Sequence, residues 1–116
     1  MAKFRIAANP TFTSKVEIPA AGDQPAGEIN FVFKHKGRKE LLDFYERSKS
    51  MTAIESLKEI AQGWDVEIDP VVEGEKPTPA PFDDVNIIAV LNNYHSAWMA
   101  ISDKYMADLT KFKLGN

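Results

Sequence analysis

The chain carries few residues whose types and spacing could do chemistry. It contains no cysteine, which excludes a thiolate zinc site and a cysteine nucleophile. Its two histidines, His35 and His95, lie far apart and show no His-Glu-x-x-His spacing. Acids alternate with apolar residues from Asp65 to Asp69, but Pro70 follows them and no glycine supplies the turn of a calcium loop. We therefore expect neither a metal site nor a bound cofactor.

A second catalytic possibility is a serine hydrolase, since His95, Ser96 and Asp103 have the residue types for nucleophilic catalysis. However, His95 and Ser96 are adjacent at a predicted helix start, where neighbouring side chains diverge. The sequence has no nucleophile elbow and no glycine-rich oxyanion or phosphate loop. We interpret Ser96 as a helix cap and expect a protein that is not an enzyme.

A basic turn between a predicted strand and a predicted helix is the first candidate binding surface. It comprises Lys34, His35, Lys36, Arg38 and Lys39 around Gly37, and the four lysine and arginine residues are the candidate contacts. Such a turn suits an acidic protein surface, and the alternative is an ordinary solvated turn. Nucleic acid is a less favoured partner, because its binding calls for neighbouring aromatic platforms and a basic domain, whereas this chain has a pI of about 5.4.

A stripe near the C-terminus is the second candidate binding surface. Trp98 and Tyr105 recur at helical spacing, and Met99 and Met106 lie seven residues apart beside them. Methionine side chains adapt readily to apolar partners. The alternative is that these four side chains widen the face that the helix turns to the core.

The first secondary-structure elements predicted along the chain, which must position these candidate residues, are strands. Apolar residues alternate with polar ones in residues 3–8, 15–18 and 28–34, which is the pattern of a sheet with one buried face. Because the connections are short, we predict an antiparallel β-meander of about three strands in the N-terminal third.

Helices are predicted next, over residues 38–47 and 51–62. The first should bury Leu41, Leu42 and Tyr45, with Phe44 at the margin of that face. In the second, Thr52 and Glu55 have the spacing of a capping box, and Gly63 stands where a helix often ends.

A proline-rich segment, residues 68–81, predicts an extended loop before a C-terminal helical hairpin over residues 83–113. Asp83 is the predicted cap of the first hairpin helix, and Phe112 should continue the apolar face of the second. The fold class is thus α+β: a small antiparallel sheet packed against about four helices in a single domain over residues 1–116.

The net charge of −3 is unevenly distributed. Residues 1–50 hold nine basic and six acidic residues, giving +3, whereas residues 51–116 hold five and eleven, giving −6. This asymmetry suits self-association or a charged partner, and the favoured alternative is chance variation in a solvated surface. No apolar run approaches the ~20 residues of a membrane span, and no signal peptide is evident, so we expect a cytoplasmic setting and no membrane contact.

Three segments in their order resemble the tail assembly chaperones of siphophages such as the lambda-like group. EINFVFKHKGRKELLDF resembles a sheet strand of that family with Phe-Lys-His before a helix. AIESLKEIAQGWD resembles its second helix, closed by Gly-Trp. VLNNYHSAWMAISDKYMADLTKFKLGN resembles its C-terminal hairpin, so the resemblance spans residues 28–116.

The resemblance implies a non-catalytic chaperone that acts in the host cytoplasm and is absent from the mature virion. Its partner would be the tape measure protein, with the tail tube protein as a second partner. Two alternatives remain open from the sequence. One is a minor structural tail or head–tail joining protein, and the other is a small nucleic-acid-binding regulator that uses the basic turn.

Overall fold

The computed structural model describes residues 3–111, in which strands and helices are interspersed along the chain. The elements are β1 (Thr11–Ile18), β2 (Gly27–Lys34), α1 (Arg38–Ser48), α2 (Ala53–Ile60), β3 (Ala61–Trp64), β4 (Glu67–Ile68), β5 (Thr78–Pro79), α3 (Asp84–Asn93) and α4 (Ala97–Thr110). The predicted α+β class, the antiparallel three-stranded sheet and the four helices are confirmed.

Strands β1 and β2 form an antiparallel hairpin whose register runs from Thr11 opposite Lys34 to Ile18 opposite Gly27. Alternate side chains of both strands point to one buried face, while their neighbours remain exposed. Period-two patterning therefore predicted β2 and the second half of β1, because one face packs on the core and the other meets solvent, but it missed residues 11–14 of β1. The buried hydrophobic residues of this face are Val16, Ile18, Ile29, Phe31 and Phe33.

The third strand is not the predicted one. Residues 3–8 form no strand, and Phe4 and Ile6 are fully exposed. The third strand is β3, which pairs antiparallel with β2, so the sheet order is β1-β2-β3 and α1 and α2 connect β2 to β3. Alternation alone could not reveal that residues 3–8 lack a neighbouring strand to pair with.

Strand β3 also corrects the predicted end of the second helix. Helix α2 ends at Ile60, and Ala61 is already extended, with φ −129° and ψ 154°. Gly63 lies within β3 rather than at a helix terminus. The strand buries Ala61 and brings the Trp64 ring to 6.2 Å from that of Phe31, and this apolar packing accounts for the early end of the helix.

Helix α4 packs across the sheet and completes the core. The ring of Tyr105 lies 5.0 Å from that of Phe33, and its hydroxyl donates a 2.8 Å hydrogen bond to the Lys34 carbonyl. The Ser14 hydroxyl donates to the carboxylate of Asp108 at a second point of contact. These two bonds fix α4 over β1 and β2.

The helix caps follow the sequence signals closely. The Thr52 hydroxyl accepts from Glu55 N at 3.2 Å, and the Glu55 carboxylate accepts from Thr52 N at 2.9 Å, which confirms the predicted capping box. Asp83 caps α3 by accepting from Asn86 N at 3.0 Å, also as predicted. Ser96 holds the N-cap position of α4, but its side chain makes no capping hydrogen bond among the described residues.

Helix α1 turns a different face to the core than predicted. Phe44 is its buried residue and Leu41 is half-buried, whereas Leu42 and Tyr45 are 59% and 56% exposed. Leu41 and Phe44 are three residues apart and lie one above the other on the helix, so they form the packed face together. The position of Phe112 lies outside the described residues.

The proline-rich segment is anchored at its end. Strand β5 pairs with β4, and Ala80 N donates to the Val66 carbonyl at 2.8 Å. The Trp64 indole N–H donates to the Ala80 carbonyl at 2.8 Å, and its ring packs edge-on against Phe82. Trp64 thus connects the sheet to the start of α3.

An ionic network joins α1 to α2. The Arg47 guanidinium contacts the Glu59 carboxylate through two hydrogen bonds of 2.7 and 2.9 Å and also reaches Asp43. Lys36 Nζ lies 2.9 Å from the same Glu59 carboxylate. Hydrogen bonding from Arg47, together with that from Lys36, lowers the pKa of Glu59 from 4.5 to about 2.

The bond between α4 and β2 can be tested with Tyr105→Phe. This change keeps the buried ring and removes only the hydroxyl, so we expect it to lower the free energy of unfolding by about 1 kcal/mol. Urea denaturation measures the loss. Tyr94→Phe is the matched control because Tyr94 is 41% exposed, and equal effects of the two changes would contradict the proposed anchoring.

The ionic network predicts a definite pH dependence. Since the pKa of Glu59 is lowered on folding, its contribution to stability is present above about pH 4.5 and is lost as the pH falls toward 2. Glu59→Gln should therefore destabilise the protein at pH 7, and its difference from the unaltered protein should shrink as acid is added. Urea denaturation at a series of pH values measures this difference. Glu73→Gln, in an exposed loop, is the control, and a pH-independent difference for Glu59→Gln would refute the prediction.

Candidate protein-binding surface

A groove lies between α1 and α4, with α2 at its base, and we call it the α1–α4 groove. Its volume is about 230 Å³. Its larger side chains are Phe44, Tyr45, Met51, Trp98, Tyr105 and Met106. It is smaller than the ~300–1,000 Å³ typical of small-molecule pockets, so it suits one or two side chains of a protein partner.

Three serines create the space between these helices. Ser48 of α1, Ser56 of α2 and Ser102 of α4 all line the groove, where larger apolar residues would have filled it. Ser48 donates to the Tyr45 carbonyl at 2.8 Å and Ser102 to the Met99 carbonyl at 3.5 Å. Because the Ser48 and Ser102 hydroxyls bond to carbonyls of their own helices, they are not free to bind a guest, and the aromatic and methionine side chains supply the apolar part of the groove.

The predicted stripe on α4 is divided between this groove and the core. Trp98 and Met106 are half-buried and line the groove. Met99 is 69% exposed on the same helix. Tyr105 is only 1% exposed, so it belongs to the core rather than to a surface open to a partner. Burial together with the nearby charges of Glu59 and Glu40 raises the pKa of Tyr105 to about 12.

The residues of the predicted basic turn also lie in two different environments. Lys36 pairs with Glu59, and its ammonium lies 5.3 Å from the ring centre of Phe44, a residue of the groove wall. Lys34, Arg38 and Lys39 are exposed to solvent. The basic turn therefore contributes one paired lysine, Lys36, beside the α1–α4 groove and three solvent-exposed basic side chains.

Tyr45 and Met51 are groove residues that sequence reasoning missed. Tyr45 was assigned to the core face of its helix, and Met51 lies between α1 and α2, outside any periodic pattern. Lys49 lies 5.3 Å from the Tyr45 ring centre, and Asp103 of α4 also lines the groove. Each of the three helices contributes one serine to the groove, so no pattern within a single helix marked this site in the sequence.

A second depression, of about 360 Å³, lies beside the far end of the β1–β2 hairpin, and we call it the acidic groove. Its apolar lining includes Ile18, Ile29, Val66 and Val90. Its acidic lining consists of Glu28, Asp65 and Glu67.

Hydrogen bonds from Asn30 stabilise the ionised carboxylate of Asp65 in this groove. Burial raises the pKa of Asp65, but hydrogen bonds of 2.8 and 2.7 Å from Asn30 outweigh burial and lower it overall. The acidic groove thus combines an apolar lining with a carboxylate that stays ionised.

The residues considered for catalysis do not form a site in residues 3–111. No hydrogen bond joins His95, Ser96 and Asp103 to one another there, and all three are exposed. Within the same range, no three histidine, aspartate or glutamate residues cluster as metal ligands. None of the described helices is long and apolar enough to span a membrane.

Comparison with known proteins identifies the family. A family model described as phage tail assembly chaperone matches residues 1–116, the whole of this sequence. No curated protein sequence and no solved structure shows significant similarity to the chain. The family match extends the resemblance seen in residues 28–116 to the preceding residues, which include β1, and the chain belongs to the phage tail assembly chaperone family.

Proposed function

We propose that this tail assembly chaperone binds apolar helical segments of the tape measure protein in the α1–α4 groove. The observation that carries the proposal is the unfilled groove itself, lined by Tyr45, Met51, Trp98 and Met106 beside Ser48 and Ser102, whose hydroxyls are already bonded. A guest side chain that enters this groove removes apolar surface from water without displacing a strong internal contact.

The groove chemistry supports a client of variable sequence. Two methionines can repack around different apolar side chains, and Tyr45 and Trp98 offer broad aromatic surfaces. The exposed Met99, seven residues before Met106, extends the apolar surface along α4. Such a groove captures one or two side chains at a time along an amphipathic helix.

Many copies on one long client would supply the strength that a single small groove lacks. Each contact is weak, but neighbouring sites on one tape measure chain raise the effective concentration of the next contact. In this proposal the chaperone covers apolar segments of the tape measure protein in the host cytoplasm while tail tube subunits assemble. It leaves before the virion matures and carries out no reaction.

The basic turn gives little support to nucleic-acid binding as the main function. Lys36 is committed to Glu59 and to the ring of Phe44, so only Lys34, Arg38 and Lys39 are exposed there. These three residues suit an acidic stretch of a protein client equally well.

Filling the groove should weaken client binding without unfolding the chaperone. Ser102→Met places a larger apolar side chain in open space, so we expect roughly 10- to 100-fold weaker capture of the tape measure protein. The measurement is the amount of tape measure protein kept soluble and co-purified on co-expression. Ala107→Met is the matched control, because Ala107 is an exposed residue of the same helix. Undiminished capture by a folded Ser102→Met protein would show that the groove is not the client site.

The proposal also predicts where the protein is found during infection. Mass spectrometry should detect it in infected cells together with the tape measure protein and not in purified virions. Stoichiometric recovery from virions would favour the structural tail or joining protein and would contradict a departing chaperone.

A further inference from the structure

Helix α1 is attached to the rest of the molecule through little apolar surface. Eight of its eleven residues are exposed, Phe44 is buried, and Leu41 and Ser48 are half-buried. By contrast, α4 buries three residues, Tyr105 among them. Elements with few buried apolar contacts open at a lower free-energy cost than core elements. Of the two helices that face each other across the α1–α4 groove, α1 is therefore the one that can move.

A single carboxylate, that of Glu59 on α2, contacts both ends of α1. Arg47, in the last turn of α1, donates to it through hydrogen bonds of 2.7 and 2.9 Å. Lys36, two residues before the helix begins, places its ammonium 2.9 Å from the same carboxylate. We call Lys36, Arg47 and Glu59 the clasp. Because Glu59 serves both ends, the loss of its charge releases both ends of α1 together.

The groove needs to widen if it is to bind more than one or two side chains. A helix that lies in an apolar groove is normally anchored by several side chains spread over two turns. Outward movement of α1 would add surface at Phe44, Met51 and Ile60, which already line the groove. Residues 35–37 and 49–52 connect α1 to β2 and α2, and hinge motion requires changes in φ and ψ at only a few such loop residues.

We propose that α1 is a movable wall of the α1–α4 groove, that the clasp holds it closed, and that an apolar helix of the client binds when the clasp opens. The role of the opening rests on the proposed function, because it concerns the same groove and the same client. The movement itself is a property of the chaperone alone. Opening exposes Phe44 to water, so the closed state dominates in the free chaperone, and a client that covers Phe44 shifts the population toward the open state.

The first experiment measures the movement without a client. Because the chain contains no cysteine, spin labels attach specifically to Leu42→Cys on α1 and Ala107→Cys on α4, both of which are exposed positions. We expect Glu59→Gln to add a population with a longer distance between the labels in pulsed electron spin resonance. Glu46→Gln, which removes an exposed ion pair at the end of α1, is the matched control and should leave the distances unchanged. An unchanged distance distribution in folded Glu59→Gln protein would overturn the proposal.

The second experiment locks the clasp. Arg47→Cys with Glu59→Cys can be joined by a short bifunctional maleimide, and neither position is among the described residues that line the groove. We expect the cross-linked protein to capture the tape measure protein roughly 10-fold more weakly than the same protein before cross-linking, because it can no longer reach the open state. Glu46→Cys with Lys49→Cys, joined by the same reagent at another ion pair, is the matched control and should capture equally well before and after the reaction.

Ser102→Met separates a failure of this inference from a failure of the proposed function. If Ser102→Met weakens capture but locking the clasp does not, the groove is still the client site and α1 is a fixed wall, which overturns the inference. If Ser102→Met leaves capture undiminished, the groove is not the client site, and the role assigned to the clasp is overturned with it.

Discussion

The contact between Tyr105 and the end of β2 is the constraint on which the rest of the structure depends. The side chain crosses from α4 to the sheet, packs on Phe33 and donates its hydroxyl to the Lys34 carbonyl. A hydroxyl buried at this depth costs free energy unless it is paired, so the bond fixes both the distance and the rotation of α4. That rotation turns Trp98 and Met106 toward α1 and leaves Met99 in solvent.

Local patterns predicted those parts of the fold whose causes are local. Alternation identified β2 and the second half of β1 because one face of each is buried, and the capping residues Thr52 and Asp83 marked two helix starts through bonds to residues three positions away. The third strand has no such local cause. Ala61 leaves the helical conformation because Trp64 packs on Phe31, and residues 3–8 stay unpaired although they alternate. Both outcomes depend on distant neighbours.

The candidate site was predictable to a similar extent. Helical spacing placed Trp98, Met106 and Tyr105 on one stripe, but the same spacing describes a core face and a binding face, and only burial separates Tyr105 from the others. The groove itself arises where Ser48, Ser56 and Ser102 meet from three helices. The sequence of any one helix cannot show that these three serines come together. The basic turn was visible in the sequence, whereas the capture of Lys36 by Glu59 required the two helices to pack.

The two bonds that fix α4 over the sheet join residues very distant in sequence, 71 positions apart for Lys34 and Tyr105 and 94 for Ser14 and Asp108. A ribosome adding about 5–20 residues per second needs roughly 4–14 s to travel from Lys34 to Tyr105. Throughout that interval Phe33 lacks the cover that Tyr105 of α4 supplies. This tail assembly chaperone therefore spends part of its own synthesis with an incomplete core, and its yield in the cell depends on how well the nascent hairpin escapes aggregation.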